Sequence, residues 1–281
     1  RIYENILGTW TQIGQDIDGD GQGDMFGWSV SLNSNGGTVA IGVPNNDGNG
    51  LNSGSVKIYE NFGGSWAQKG QEIDDFVAET DAGNSVSLSS DGNTVAIGAP
   101  YGGSGDGHVR IYEYISSSWT QIGQNINGEA AQDYSGRSVS LSSDGNRVAI
   151  GADGNDGNGT SAGHVRIYEN ISGSWTQLGN DIDGEVVGDE SGWSVSMSSD
   201  GNTLAIGSIL NDGNGVDAGH VRVYSLGGFS SYTSPPCSGC TDYLAVNYDP
   251  YSLIDDGTCA YAGCMDSTAF NYDPAAVADD G

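Results

Sequence analysis

Basic residues are scarce in this chain of 281: 8 Lys and Arg stand against 37 Asp and Glu, for a formal charge of −29. A chain so acidic repels phosphate backbones and anionic lipid surfaces, which argues against nucleic acid as a partner. Cations are its natural partners; the bland alternative is a solvated acidic surface. Proline is scarce too, with 6 residues against 47 Gly. Glycine this common without a collagen period fits many tight turns between short strands. Long apolar runs are missing, so no transmembrane helix and no direct membrane insertion are expected. No stretch has a helical period. Cysteine is absent from the first 236 residues. No Ser/His/Asp arrangement stands outside the repeats, and there is neither a reactive cysteine context nor a phosphate loop. Carboxylates abound, but acids that recur with every repeat look structural, whereas an active site is unique. The chain is therefore read as a non-enzyme.

What is present is one unit, repeated. Its clearest copy runs from Gly136 to Gly179: G-R-S-V-S-L-S-S-D-G-N-R-V-A-I-G, an Asp/Asn/Gly loop, then G-H-V-R-I-Y-E-N-I-S-G-S-W-T-Q-L-G. Gly27, Gly83, Gly136 and Gly192 open the copies, 56, 53 and 56 residues apart. Tyr3, Tyr59, Tyr112, Tyr168 and Tyr224 keep nearly the same beat, as do Trp10, Trp66, Trp119 and Trp175. A period in this range marks a propeller, a solenoid or an array. Arg1-Ile2-Tyr3-Glu4 already reads as the middle of a unit, so the chain is expected to be a piece of a longer one.

Each unit reads as four strands. Ser29–Leu32 and its copies at Ser85, Ser138 and Ser194 alternate Ser with Val or Leu. Asn35-Gly36-Gly37, Asp91-Gly92-Asn93, Asp144-Gly145-Asn146 and Asp200-Gly201-Asn202 make tight turns, both central residues tolerating positive φ. The apolar T-V-A-I-G strand follows, then a longer loop, the H-V-R-I-Y-E strand, a short turn and the S-W-T-Q-I-G strand. Four antiparallel strands with Trp and Tyr at fixed places describe a propeller blade. The expected fold is all-β: a β-propeller of four-stranded antiparallel blades over 1–226, with a partial unit 1–26 and units 27–82, 83–135, 136–191 and 192–226. The last unit lacks a Trp strand; the Trp10 strand could complete it and close a ring, and further upstream repeats are the alternative. A linker, 227–236, precedes a small Cys/Asp-rich tail, 237–281.

The units resemble FG-GAP repeats, the blades of integrin-α-like propellers. Phe26-Gly27 opens the first unit like the family's Phe-Gly. Gly42-Val43-Pro44 and Gly98-Ala99-Pro100 stand where the family has Gly-Ala-Pro; the other copies read Gly151-Ala152-Asp153 and Gly207-Ser208-Ile209. The resemblance covers about 1–226. It implies a propeller outside the cell that binds proteins or sugars rather than catalysing reactions. The family's calcium loop lies between strands one and two. Here that place holds only a tight turn, so the site is not carried to Asp91, Asp144 or Asp200, which are read as turn formers.

Alternating strand directions send the loops between strands two and three, and the blade-to-blade connections, to one end. That end is the expected ligand face, carried by Asp47, Asn49, Asp156, Asn158, Asp212 and Asn214. Asp16, Asp18, Asp20 and Asp24 read D-x-D-x-D-G, the start of a calcium loop with Gly21 at its sharp turn. The closing Glu is missing, Gly27 standing in the twelfth place. The second unit offers Glu72, Asp74 and Thr80 there and the third Asn125, Asn127 and Asp133; only the fourth, with Asp181, Asp183, Glu185 and Asp189, keeps the acids. Calcium at these two sets and plain solvated turns are the two readings. His108, His164 and His220 share one strand position and are read as structural. The Trp and Tyr series are read as packing between blades; Trp28 and Trp193, outside that series, could instead stack on a sugar.

Cys237, Cys240, Cys259 and Cys264 all lie in the tail. They read as disulfides of an oxidising compartment, with zinc as the rival. Cys240-Thr-Asp242 to Cys259 is echoed from Cys264 with a period of 24, and the register expects a further Cys beyond Gly281. The tail resembles Cys- and Asp-rich repeats of large secreted surface proteins, which look like thrombospondin type 3 calcium repeats; this implies a stalk dependent on disulfides and calcium. Cys240–Cys259 is the preferred bridge. Asn158-Gly-Thr160 and Asn170-Ile-Ser172 are glycosylation sequons. The reading is a secreted or cell-surface binding or adhesion module, its partner an extracellular protein or glycan. The alternatives are a structural subunit that assembles with copies of itself, and an accessory domain of a secreted enzyme.

Overall fold

Alternating Ser and β-branched or aliphatic residues suit a pleated surface with one side buried, and strands form wherever that pattern recurs. The computed structural model describes residues 1–75, 77–102 and 105–226, and the backbone of 238–239 and 254–255. The chain divides into two units, Arg1–Gly227 and Gly228–Gly281. In the first, β1 (Tyr3–Ile6) and β2 (Thr9–Gln12) form a hairpin. Three five-stranded sheets follow. One holds β3 (Val30–Leu32), β4 (Thr38–Val43), β5 (Ser55–Phe62), β6 (Ser65–Gln68) and β7 (Ile73–Asp74). The next holds β8 (Ser85–Leu88), β9 (Thr94–Ala99), β10 (His108–Ile115), β11 (Ser118–Gln121) and β12 (Ile126–Asn127). The third holds β13 (Ser138–Leu141), β14 (Arg147–Ala152), β15 (His164–Ile171), β16 (Ser174–Gln177) and β17 (Ile182–Asp183). A three-stranded sheet ends the unit: β18 (Ser191–Met197), β19 (Thr203–Ser208) and β20 (His220–Ser225). Every pairing between these strands is antiparallel, and isolated parallel bridges join Gly54 to Ala82, Gly107 to Ser135 and Gly163 to Ser191. In the second unit, β21 (Ser238–Gly239) and β22 (Ile254–Asp255) pair in parallel. Cys240 and Cys259, and the rest of the tail's expected features, lie outside the described residues. Among the described residues no helix is long and apolar enough to cross a membrane.

The expectation of four strands per unit is short by one. The third strand is eight residues long, and β11 covers only its far half, Tyr112–Ile115. Gly123, at φ +71, then turns the chain outward, and β12 returns to pair with His108 and Val109. The 1–2 turns form as expected, with a different division of labour. In each turn only the middle glycine, Gly36, Gly92, Gly145 or Gly201, takes positive φ. Asp91 acts through its side chain, accepting from the Asn93 N–H at 3.0 Å and from the Ser89 hydroxyl at 2.6 Å. Asp144 and Asp200 repeat the arrangement, a side-chain mimic of a backbone turn.

The sheets stack face to face. Val109, Ile111 and Ile126 of one meet Val139, Leu141, Val148, Ile150 and Trp175 of the next, and equivalent clusters join the other pairs. The backbones come so close that a Cβ on Gly98 would stand 2.1 Å from the Gly136 carbonyl oxygen. The Ser face is used as well: Ser31, Ser87 and Ser140 hydroxyls accept from the N–H groups of Leu88, Leu141 and Met197 in the neighbouring sheet, each at 3.0 Å. Trp66, Trp119 and Trp175 lie between sheets, and their indole N–H groups donate to the carbonyls of Ile13, Lys69 and Ile122. The ring is not closed by Trp10. Among the described residues β2 pairs only with β1 and β20 only with β19. The hairpin's end of the chain instead lies against the first sheet, where Ile2 and Ile17 contact Val39, Ile41 and Trp66.

Candidate functional site

The strand order does gather two sets of loops at one end. The loops between strands two and three bond directly to the connections: Glu79 N–H to Leu51 O at 2.7 Å, Tyr134 N–H to Gly105 O at 2.9 Å, Gly188 N–H to Thr160 O at 2.9 Å. The repeated N-D-G-N-G loops brace themselves. Asn46, Asn155 and Asn211 accept from the N–H groups of Gly48, Gly157 and Gly213. Asp47, Asp156 and Asp212 accept from those of Asn52, Ser161 and Asp217, each at 2.8 Å. Asn49 bonds to Asp74. Asn158 donates to the carbonyls of Gly184 and Glu185 at 2.7 and 3.1 Å, so its amide is engaged within the fold. Asn214 is exposed. Asn170 caps its hairpin, accepting from Gly173 N–H at 2.8 Å. The expected ligand-face residues are therefore at the expected end, and most of them hold their own loops.

The two carboxylate sets are divided among cations of the chain itself. The third position of strand three is basic in every copy, Lys57, Arg110, Arg166 and Arg222, and Arg1 holds the matching place two residues before Tyr3; these are five of the 8 basic residues. Each draws acids from the connections. Arg1 pairs with Asp16 at 3.0 Å and Lys57 with Asp20 and Glu72. Arg166 pairs with Asp181 at 3.0 Å and with Glu129, and Arg222 with Glu185. Hydrogen bonds from Gln12 and Arg1 hold the Asp16 carboxyl below its usual range. Asp24 accepts from Asn46 at 3.4 Å. Buried Asp189 accepts from the N–H groups of Glu185 and Val186 and from Asn211, all at 3.1 Å. Asp18 and Asp183 are exposed. Neither Asp16, Asp18, Asp20 and Asp24 nor Asp181, Asp183, Glu185 and Asp189 converge on one point. Among the described residues the group that does is Glu129, His164 and Asp181, whose ligating atoms all lie within 4.8 Å of one another. The three histidines do not gather. Burial, and then the charge of Arg166, hold the His164 imidazole below its usual value against the pull of Asp181 and Glu129.

A second cluster breaks the repeat. Each sheet is entered through a turn in which the fourth residue's N–H donates to the first residue's carbonyl: Trp28 to Met25, Asn84 to Asp81, Arg137 to Tyr134, Trp193 to Glu190. The first residue of each is left-handed, at φ 60°, 52°, 56° and 52°. The backbone is constant here while the first side chain differs in every copy and the fourth is Trp, Asn, Arg and Trp. Arg137 lies with its guanidinium 4.2 Å from the Trp193 ring and donates to the Tyr101 hydroxyl at 3.1 Å. Tyr101 meets Tyr134 edge to face at 5.5 Å. Arg137 Nε is 3.4 Å from Asp153 Oδ2. Asp153 stands where other copies have Pro44, Pro100 and Ile209; it is buried, and its Oδ1 has no hydrogen-bond partner. Burial raises its pKa, and the Arg137 charge offsets part of that. Tyr101 and Trp193 are exposed. Aromatic faces beside a guanidinium and a carboxylate suit a ligand with an apolar face and hydroxyl groups. The sequence alone left Trp28 and Trp193 between packing and stacking on a sugar, and it did not bring Tyr101, Tyr134, Arg137 and Asp153 together. The departure of Asp153 from the Gly-Ala-Pro pattern was the available signal.

A family model for the FG-GAP repeat matches residues 10–59. No curated protein matches the chain. Among solved structures the chain is similar to Kuenenia stuttgartiensis hydrazine synthase, at 13% identity over 75% of this chain and 50% of that one, with a TM-score of 0.47. It is also similar to TolB from Acinetobacter baumannii, at 12% identity over 70% of this chain and 43% of that one, with a TM-score of 0.40. The chain thus spans half or less of these two proteins, and at these scores they carry no argument about function. The chain itself is a series of repeated antiparallel sheets, one stretch of which, residues 10–59, is similar to the FG-GAP repeat.

Proposed function

We propose that the chain is a non-enzymatic recognition module of a secreted or cell-surface protein, built on a β-propeller. Its loop face takes a neutral saccharide, held by stacking on Trp193 and Tyr101 and by hydrogen bonds to Arg137. The observation that carries this reading is the Tyr101–Tyr134–Arg137–Asp153–Trp193 cluster, where aromatic and charged side chains that do not recur together in the other copies meet. The net charge of −29 disfavours an anionic glycan, and the cysteine-bearing tail supports an oxidising compartment. The test is a glycan array followed by calorimetry. A hit is expected to lose about ten-fold in affinity in Trp193→Ala, as for an exposed aromatic anchor. Absence of any glycan hit, or a hit indifferent to Trp193→Ala and Arg137→Ala, sinks the saccharide reading; capture of a protein would redirect it.

A structural subunit is the second reading, favoured by two uncovered end faces. Val221 and Val223 are 69% and 67% exposed, whereas their copies Val109 and Ile111 are fully buried. At the other end Val30 and Leu32 are exposed beside a 400 Å³ cleft. Light scattering is expected to show mass rising with concentration if these faces join copies; a constant monomer mass rejects assembly.

A further inference from the structure

We propose that His164, Asp181 and Glu129 form a site for a divalent transition-metal ion of the zinc type, clamping the second and third sheets together. His164 opens β15, and Asp181 directly precedes β17, which pairs with β15 at His164. Glu129 arrives from the connection after β12, in the preceding sheet. The three donor atoms lie within 4.8 Å of one another, close enough for small rotamer shifts to bring them onto one ion. The independent sign of a ligand is His164 itself. It is 3% exposed, and its Nδ1 has no hydrogen-bond partner. That atom points toward Asp181, but Oδ2 is 3.6 Å away, too far for a hydrogen bond. A buried ring nitrogen without a partner is rare and calls for an explanation.

Charge leads to the same place. Glu129 and Asp181 share one guanidinium, Arg166 Nη2, which leaves the group one negative charge in excess. Arg166 stands in for a cation, and an ion entering between His164 and the two carboxylates would displace Nη2. One imidazole with two carboxylates is a donor set that zinc accepts. Arg166 Nε and Gln177, both bonded to Asp181 Oδ1 at 3.0 and 2.6 Å, would then orient the carboxylate from behind.

The set is complete once among the described residues. In the second sheet the Nε2 of His108 is engaged by Asp75 at 2.8 Å, and Asn125 replaces the acid of Asp181. The first sheet has Ser55 in place of the histidine. In the last, His220 Nδ1 has Glu185 at 3.9 Å but no acid from a fourth strand. A feature that occurs in one copy of a repeat is not required by the repeat.

The test uses the full chain, titrated with zinc by calorimetry and with cobalt by visible absorption. The four tail cysteines are the competing ligands, so the cobalt spectrum should show d–d bands without thiolate charge transfer in the near ultraviolet. One ion per chain is expected. Glu129→Gln, a change at an exposed side chain, and His164→Asn should each weaken binding at least about ten-fold, while Arg166→Gln should tighten it by removing the competing cation. No saturable binding, thiolate bands, or an affinity unchanged in Glu129→Gln overturns the site.

Discussion

Asp75→Asn is expected to lower the stability of the repeat unit by about 3–5 kcal/mol, the cost of breaking a buried charge pair from one side. Asp75 is 2% exposed and comes from the connection after the first sheet. Its partners belong to the second: Arg110 Nη1 donates to Oδ1 at 2.9 Å and His108 Nε2 to Oδ2 at 2.8 Å. Oδ1 also accepts from the Val77 N–H at 3.2 Å. Burial alone would raise the pKa of this carboxyl. The hydrogen bond from His108 and the charges of His108 and Arg110 outweigh it and hold the pKa below the usual value of 3.8. The folded state therefore holds the proton less tightly than the unfolded chain. The stabilisation is fully present above pH ~4 and is lost as pH falls through the lowered folded value. Urea midpoints at pH 7 and pH 3 check both parts. The gap between the wild type and Asp75→Asn should be wide at pH 7 and narrower at pH 3. Equal midpoints at pH 7 would falsify the staple.

Trp119→Ala is expected to cost about 3–5 kcal/mol, as large-to-small changes of buried aromatics do, whereas Trp10→Ala should stay within about 0.5 kcal/mol. The two residues occupy the same place in the repeat. Trp119 is 3% exposed, lies 5.2 Å from Tyr114, and donates to the Lys69 carbonyl at 2.7 Å. Gln71 of the preceding sheet accepts from its backbone N–H at 3.0 Å. Trp10 has no preceding sheet among the described residues and is 68% exposed. Trp119→Phe should fall between the two, since it keeps most of the buried area but leaves the Lys69 carbonyl unpaired, at about 1–3 kcal/mol. Urea denaturation of the three variants decides the matter. Similar losses for Trp10 and Trp119 would mean that the ring contributes within its own sheet rather than between sheets.

The strands and the 1–2 turns were legible because their causes are local. Alternation in S-V-S-L sets which face is buried, and Asp91 reaches an N–H only two residues away. The short strands β7, β12 and β17 were not legible. They arise because an eight-residue strand outlasts its four-residue partner, a matter of relative length that no two-residue segment announces. The pairing of Asp16 with Arg1 and of Asp20 with Lys57 was not legible for the same kind of reason. Those bases lie 15 and 37 residues from Asp16 and Asp20, and only the return of the chain brings them together.

By itself the sequence determined the period, the strand order, the end at which the loops collect and the turn chemistry, since each follows from side-chain alternation or from bonds within a few residues. Tertiary structure decided everything that depends on which side chains of different sheets meet. It divided the acids among the chain's own cations and left Trp10 outside the last sheet. It brought Arg137 of one sheet onto Trp193 of the next, and set His164 and Asp181 beside Glu129. Charges and ring faces act over a few ångströms of space, and residues about fifty apart in the chain come within that reach only once the sheets are stacked.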